Sequence, residues 1–437
     1  MRLLSRDLVC GRPRQAARRA ALSWRATACS VVVLGCAIGL CGESRAQTPA
    51  SAPAPPRTRA EHLEAARRAK AAQLSQPRRP NKVESVIHYI EDSRLFPRIF
   101  NPPRGWFGQV GGLGEGNGLT MGGGYRQPTE LGVVSVRALG SLRESVLLGG
   151  DLTRSFLPRD AGFIRASDTR RHEAAQRFYG LGPDSSLDDR TGFGLSALQL
   201  DLTAGVRITS WLTGTASVGF LNPDVTGSSE APPLTVTNAS YDERRLPGID
   251  VQPDFVTTQL GGVVDTRNSL NPRRGGLYQA HVRRFSDRDG GAYSFTSTRV
   301  DLQQFMPFWN ESRVIALRLL AEHADGLGNA MVPFYLQPTL GGARSLRGYD
   351  RQRFRDRSML LFSAEYRYEV NPFLMAAVFY DAGQVAPDWT DFRLKDLRDN
   401  YGVGLRFGYS EAVALRADVA FGGESPVRLI VGFNSSF

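Results

Sequence analysis

The feature that most constrains this chain is a two-residue alternation running from about Gly105 to Phe437, with full charges on one face of strand after strand. In "YGVGLRFGY", Tyr401, Val403, Leu405, Phe407 and Tyr409 share one side, while Gly402, Gly404, Arg406 and Gly408 fill the other. In "FSAEYRYEV", Ser363, Glu365, Arg367 and Glu369 oppose Phe362, Ala364, Tyr366, Tyr368 and Val370. "ALQLDLTAGVR" sets Gln199, Asp201, Thr203 and Arg207 against Leu198, Leu200, Leu202, Ala204 and Val206. A soluble β-sandwich also alternates, but its polar face does not need to be ionic throughout. A closed membrane barrel needs an apolar outside and admits a wet, charged inside, and closure satisfies every backbone hydrogen bond. A charge turned to lipid at mid-membrane costs about 2–4 kcal/mol, so segregation this consistent is what spanning strands require. The expected fold is all-β: a transmembrane antiparallel β-barrel of about 16 strands. Turn residues place the strand starts near about 105, 117, 129, 143, 159, 191, 211, 252, 275, 292, 312, 358, 373, 399, 411 and 427.

Upstream, the basic stretch before "ATACSVVVLGCAIGLC" and the small-residue site Ser44-Arg45-Ala46 mark residues 1–46 as a signal peptide. The apolar run is short for a retained anchor. "VLGC", ending at Cys36, is a weaker lipoprotein-like alternative. All four cysteines (Cys10, Cys29, Cys36, Cys41) fall in this leader, so the mature chain has no thiol for disulfides, metal binding or nucleophilic chemistry. The leader also takes eight of the 54 basic and two of the 43 acidic residues, leaving 46 against 41, a net of +5 in place of +11. The basic balance is largely a leader effect, and nucleic acid is not an expected partner. Residues 47–104 read as a Pro/Ala-rich tether and short helices, among them "KVESVIHYIEDSRLF" with Val83, Val86, Ile87 and Ile90 in helical spacing.

Four motifs stand out downstream: "RFYGLGPDS" (177–185), "VDTRNSLNPRRGGLY" (264–278), "GGARSLRGY" (341–349) and "FYDAG" (379–383). Together, and in this order, they resemble the outer-membrane protein assembly and secretion barrels, the group of BamA, TamA and the two-partner secretion transporters, also described as the bacterial surface antigen family. The resemblance covers residues 105–437. It implies that the loop carrying Gly341, Gly342, Leu346, Arg347, Gly348 and Tyr349 folds into the barrel lumen, and that Arg347 meets Asp381 on the wall. Glu365 and Glu369, inward by the alternation of their own strand, are alternative or additional acidic partners. Asp381 and Phe379 have the same parity, so either Phe379 also faces inward or Gly383 marks a bend. Gly348 is expected to allow a tight turn, and Gly341 with Gly342 to give the backbone its freedom to enter.

Other candidates carry less. "GGLGEGNG" (111–118) lacks the strand and helix that frame a phosphate loop and reads as a hairpin turn. The histidines (His62, His88, His172, His281, His323) show no metal-ligand spacing, and Asp265 with Arg267 reads as a strand-end device. Trp106, Trp211 and Trp309 sit near expected strand ends, where barrels carry interface girdles. The last strand, with Phe433 and Phe437 on one face beside Val431, resembles the terminal signal by which such barrels are themselves inserted. The family implies no enzyme and no cofactor. It implies an outer-membrane protein in contact with lipid, acting on unfolded or barrel-type client polypeptides by insertion or translocation. Residues 47–104 do not resemble the polypeptide-transport-associated domains usual before such barrels, so client capture would fall to separate periplasmic subunits. A weak seam between the glycine-rich first strand (Gly105, Gly108, Gly111, Gly112) and the last would ease opening. The alternative is a passive pore or structural barrel plugged by its own loop.

Overall fold

The computed structural model describes residues 102–111, 113, 119–158, 161–228, 246–371, 373–409 and 412–432. The signal peptide, nearly all of the tether and helical segment, Gly112, Phe433 and Phe437 lie outside the described residues.

Alternating sequence becomes strand in chain order. The first half comprises β1 (Gly105–Val110), β2 (Thr120–Thr129), β3 (Gly132–Ser141), β4 (Val146–Ser155), β5 (Gly162–Phe178), β6 (Thr191–Arg207), β7 (Leu212–Gly227) and β8 (Phe255–Asp265). There follow β9 (Gly275–Asp287), β10 (Phe295–Phe308), β11 (Asn310–Gly326), two short strands β12 (Thr339–Leu340) and β13 (Phe354–Arg355), then β14 (Ser358–Asn371), β15 (Leu374–Ala386), β16 (Arg398–Tyr409), β17 (Ala412–Phe421) and β18 (Arg428–Gly432). Sixteen of these form one sheet, β1 to β11 and then β14 to β18, every neighbouring pair antiparallel. This is the transmembrane β-barrel wall. Each strand of the sheet starts within three residues of its expected position. β12 and β13, which the alternation does not announce, pair with each other at the base of the 341–353 loop, and Arg355 of β13 also bridges to Gly182.

The two faces separate as the chemistry requires. Tyr401, Val403, Leu405 and Phe407 are exposed, whereas Gly402, Gly404 and Arg406 are buried. Phe362, Tyr366 and Tyr368 look out while Ser363, Glu365 and Arg367 look in. The hairpin topology puts the turns β2–β3, β4–β5, β6–β7, β8–β9, β10–β11, β14–β15 and β16–β17, none longer than nine residues, at one end, the short-turn end, and the longest connections (β5–β6, β7–β8, β11–β14, β15–β16) at the other. Trp106 opens β1, while Trp211 and Trp309 sit in the β6–β7 and β10–β11 turns, so all three belong to the short-turn end, where Trp106 and Trp309 are 80% and 86% exposed. Arg267 closes the end of β8 with two bonds to Asp265, both 2.9 Å.

The apolar core lies inside the barrel at the long-loop end. Phe178 and Phe193 from the strand tips pack with Leu246, Ile249, Phe334 and Tyr335 from two inward loops. Phe255, Phe285 and Phe295 form an adjoining aromatic group, Phe285 and Phe295 stacked at 4.3 Å. Burying this many aromatic rings fixes both loops across that mouth. Among the described residues, no backbone pairing joins β1 to β18.

Candidate functional site

The segment between β12 and β13 turns into the lumen. Gly341 and Gly342 both have positive φ, 113° and 111°, and a Cβ on Gly341 would fall 2.2 Å from the Asp350 carbonyl oxygen, so the entry needs glycine twice over. Gly341 N–H donates to Ser345 Oγ at 2.9 Å and Gly342 N–H to the Leu346 carbonyl at 3.1 Å, closing a compact turn. Leu346 is fully buried in a cluster with Leu320, Leu340, Tyr349, Phe354, Met359, Leu361 and Val385.

Arg347 occupies the centre. Its Nε and Nη2 donate to the two oxygens of Asp381, both at 2.7 Å, the fork geometry that suits a guanidinium. Its Nη1 donates to Glu365 Oε1 at 2.6 Å and approaches Asp418 Oδ2 at 3.4 Å. The guanidinium lies over the Phe379 ring, 3.4 Å from its centroid, while Asn400 Nδ2 donates to Asp381 at 3.0 Å. Arg367 and Arg406 add 2.7 Å and 3.1 Å bonds to Glu365, Arg406 also reaches Asp418, and Arg416 lies 3.5 Å from Asp418.

The facing question left by the sequence has a definite outcome. Phe379 and Asp381 both point inward from an unbroken β15, the ring serving as a platform for Arg347. Gly383 is therefore not a bend; a Cβ there would meet Leu360 O at 2.7 Å and Leu340 at 3.0 Å, so it lets the loop base press against the wall. Gly348 sits in the expected tight turn, closed by the Tyr349 N–H to the Leu346 carbonyl at 3.1 Å, but without a positive φ; its hydrogen matters because a Cβ would come within 2.7 Å of the Asn400 Cβ and 3.2 Å of Gly423. Glu369 is not a partner of Arg347: inward but near the short-turn end of β14, it pairs with Arg273 at 2.5 Å.

Farther along the loop, Tyr349 donates from its hydroxyl to the Asp399 carbonyl at 3.3 Å. Asp350 accepts from Arg177 at 2.7 Å, Tyr179 at 2.8 Å and Arg428 of β18 at 2.6 Å. This gives the "RFYGLG" motif its structural place: its arginine and tyrosine hold the loop. Burial and the neighbouring Asp350 push the Tyr179 hydroxyl up to about 12. Arg353 donates to Ser185 Oγ and O at 2.7 and 2.6 Å and pairs with Glu424 in the β17–β18 turn. The motifs at 177–185, 341–349 and 379–383 thus meet in one place. Asp418, Asn400, Arg406 and Arg416 complete it. Alternation placed Arg406 on the face opposite its strand's apolar residues without assigning it a partner, because alternation fixes a face but not a neighbour across the lumen.

The Omp85 superfamily domain matches residues 167–430, more than half of the chain. The chain belongs to the Omp85 superfamily. Its fold is similar to that of the crystal structure of BamA from Haemophilus ducreyi lacking POTRA domains 1–3, with a TM-score of 0.57 and 14% identity over 76% of this chain and 68% of that one. CdiB from Acinetobacter baumannii is also similar, with a TM-score of 0.45 and 14% identity over 75% of this chain and 58% of that one. CdiB from Escherichia coli gives 0.46 and 11% over 76% and 60%. The chain spans about three-fifths of the length of those two proteins. No curated protein matches the sequence directly. The Omp85 match runs from within β5 to within β18 and leaves β1 to β4 outside it.

Proposed function

We propose that this Omp85 barrel resides in the outer membrane and assists the insertion or translocation of polypeptides, without enzymatic chemistry. The observation that carries the reading is the combination of an inward loop, tied through Arg347 to β14, β15 and β17, with a sheet whose first and last strands are unpaired among the described residues. Unpaired edge strands are templates for a further strand. An edge in a membrane is tolerated only where something covers it, and a client strand is a natural cover. Glycine supports the opening side: Gly122, Gly123 and Gly124 follow one another in β2, beside β1. The lumen loop and the aromatic cap across the long-loop mouth speak against a freely open channel.

Export by the 1–46 leader, the lipid-facing apolar surface and the short-turn end as the periplasmic side belong to the same proposal. Capture of clients by separate periplasmic subunits belongs to it too. The test is reconstitution of the purified barrel in liposomes, comparing the folding rate of an unfolded barrel client with ion conductance. Faster client folding, lost when engineered cysteines join β1 to β18, supports the reading. Conductance without any rate enhancement replaces it with the plugged pore.

A further inference from the structure

Arg284 of β9 stands on the lipid-facing side of the wall. Its chain neighbours point the other way, Arg283 to Asp201 at 3.1 Å and Phe285 into the aromatic group of the lumen. Arg284 is exposed and shares the outer face with Val282. A charge on that face destabilises a barrel, the more so the deeper it lies. Arg284 is the tenth residue of β9, and a tilted strand crosses the hydrocarbon in about 9–11 residues, so its guanidinium reaches headgroup level at the long-loop end.

Its surroundings on that face are of two kinds. In the sheet register its outward neighbours are Thr258 of β8 and Thr296 of β10. Among the described residues, the side chains of Arg284, Thr258 and Thr296 have no hydrogen-bond or ion-pair partner. Asp325 of β11, the next residue in that row beyond Thr296, forms no ion pair with Arg284. Toward the short-turn end the same face is hollow. An open groove of about 640 Å³ passes over β6 to β9, with Ala204 and Ala216 paired across its floor, Leu202, Leu260 and Val282 as its walls, and Thr258 and Arg284 at its rim.

We propose that this face binds an anionic phospholipid, its phosphate on Arg284 and the two threonine hydroxyls and one acyl chain in the groove. A phosphate supplies the oxygens that a guanidinium and flanking hydroxyls require. A neutral lipid would leave those donors unanswered, and a free phosphate would leave the groove unfilled. Because bulk lipid tails are as apolar as the groove, the chain provides fit and the headgroup provides preference. Such a site depends on the lipid-facing wall alone and not on the handling of clients.

The experiment titrates the full barrel in uncharged detergent with phosphatidylglycerol, and native mass spectrometry counts the barrels that carry a lipid. Diacylglycerol with the same chains and glycerol 3-phosphate are titrated in parallel, as the tail without the phosphate and the phosphate without the tail. Phosphatidylglycerol is expected to bind about tenfold or more tightly than either fragment. Arg284→Gln is expected to weaken it about tenfold, the loss that accompanies removal of a hydrogen bond to a charged group, and Arg284→Lys to weaken it less. Ala216→Phe, which fills the groove and keeps the donors, is expected to weaken it as well. Equal binding of phosphatidylglycerol by wild type and Arg284→Gln overturns the site, as does diacylglycerol binding as tightly as phosphatidylglycerol. Glycerol 3-phosphate binding equally well would make this a site for free phosphate and overturns the lipid. Heat-modifiability shows whether each variant is folded, and the three ligands compared on the wild type decide where one is not.

Discussion

The two ends of the sheet are built differently. At one end, β1 to β4 are six to ten residues long and thin in side chains, with three consecutive glycines in β2. At the other, β14 to β18 carry the buried ionic cluster and receive the loop through Arg347, Ala343, Tyr349, Asp350 and Arg353. Every loop contact described above goes to β5, to the connection that follows it, or to a later element. The loop and the last five strands thus form one cross-braced unit, and the seam that is unpaired among the described residues lies along its border. The superfamily match begins at residue 167, inside β5, and so covers the braced part and not the thin one. Rigidity on one side of a seam lets the other side move without dissolving the barrel, which is the mechanical demand of opening laterally.

The sharpest way to break this contrast is to remove a carboxylate from the braced side. Asp381→Asn leaves the buried Arg347 half-paired, so it should destabilise the barrel by about 3–5 kcal/mol. Arg347→Met also unseats the loop but leaves Asp381 its bond from Asn400 and Glu365 its bonds from Arg367 and Arg406, and should fall at the lower end of that range. The matching change on the thin side, Asp151→Asn in β4, removes a half-buried carboxylate outside the cluster and should cost under about 1 kcal/mol. Urea midpoints with protease sensitivity of the loop measure all three. Equal losses at the two ends would dissolve the distinction.

A smaller effect is expected from sterics alone. Gly348→Ala places a methyl 2.7 Å from the Asn400 Cβ, and overpacking of this kind costs about 1–3 kcal/mol. Gly140→Ala in β3 meets nothing within 4 Å and should stay within about 0.5 kcal/mol of wild type. If both variants melt with the parent, the loop does not press on β16 as described.

These positions show what a sequence can and cannot disclose. Strand positions were legible because alternation and turn residues are local, and each strand of the sheet begins within three residues of expectation. The inward facing of Glu365 followed from the parity of its strand. Its neighbour Glu369 had the same parity but the wrong height: four residues along β14 it sits beside Arg273, beyond reach of Arg347. Depth in a barrel depends on strand tilt and stagger, which no single strand encodes. For the same reason the sharing of Glu365 among Arg347, Arg367 and Arg406 needed the assembled wall. Gly348 and Gly383 were visible as glycines, but whether a glycine serves a turn or a close approach depends on what lies opposite.

The mildest probe tests the link between the loop and the last strand through Asp350. Burial works to raise this carboxyl. Hydrogen bonds from Tyr179 and Arg428, with the charges of Arg177 and Arg428, outweigh burial and hold it below its ordinary value. A carboxyl whose folded pKa is depressed contributes stability above its unfolded pKa, near about 3.9, and loses it as pH falls through the lower folded value. Asp350→Asn should therefore be less stable than wild type at pH 7, by about 1 kcal/mol or less because the group is half open to solvent screening. The gap should narrow as pH drops below about 4. Arg428 is the only one of these partners on β18, so Arg428→Gln should reproduce part of the gap and the same pH trend. A gap that persists unchanged into acid would mean that Asp350 holds the loop by shape and not by charge, and that the last strand is not electrostatically tied to it.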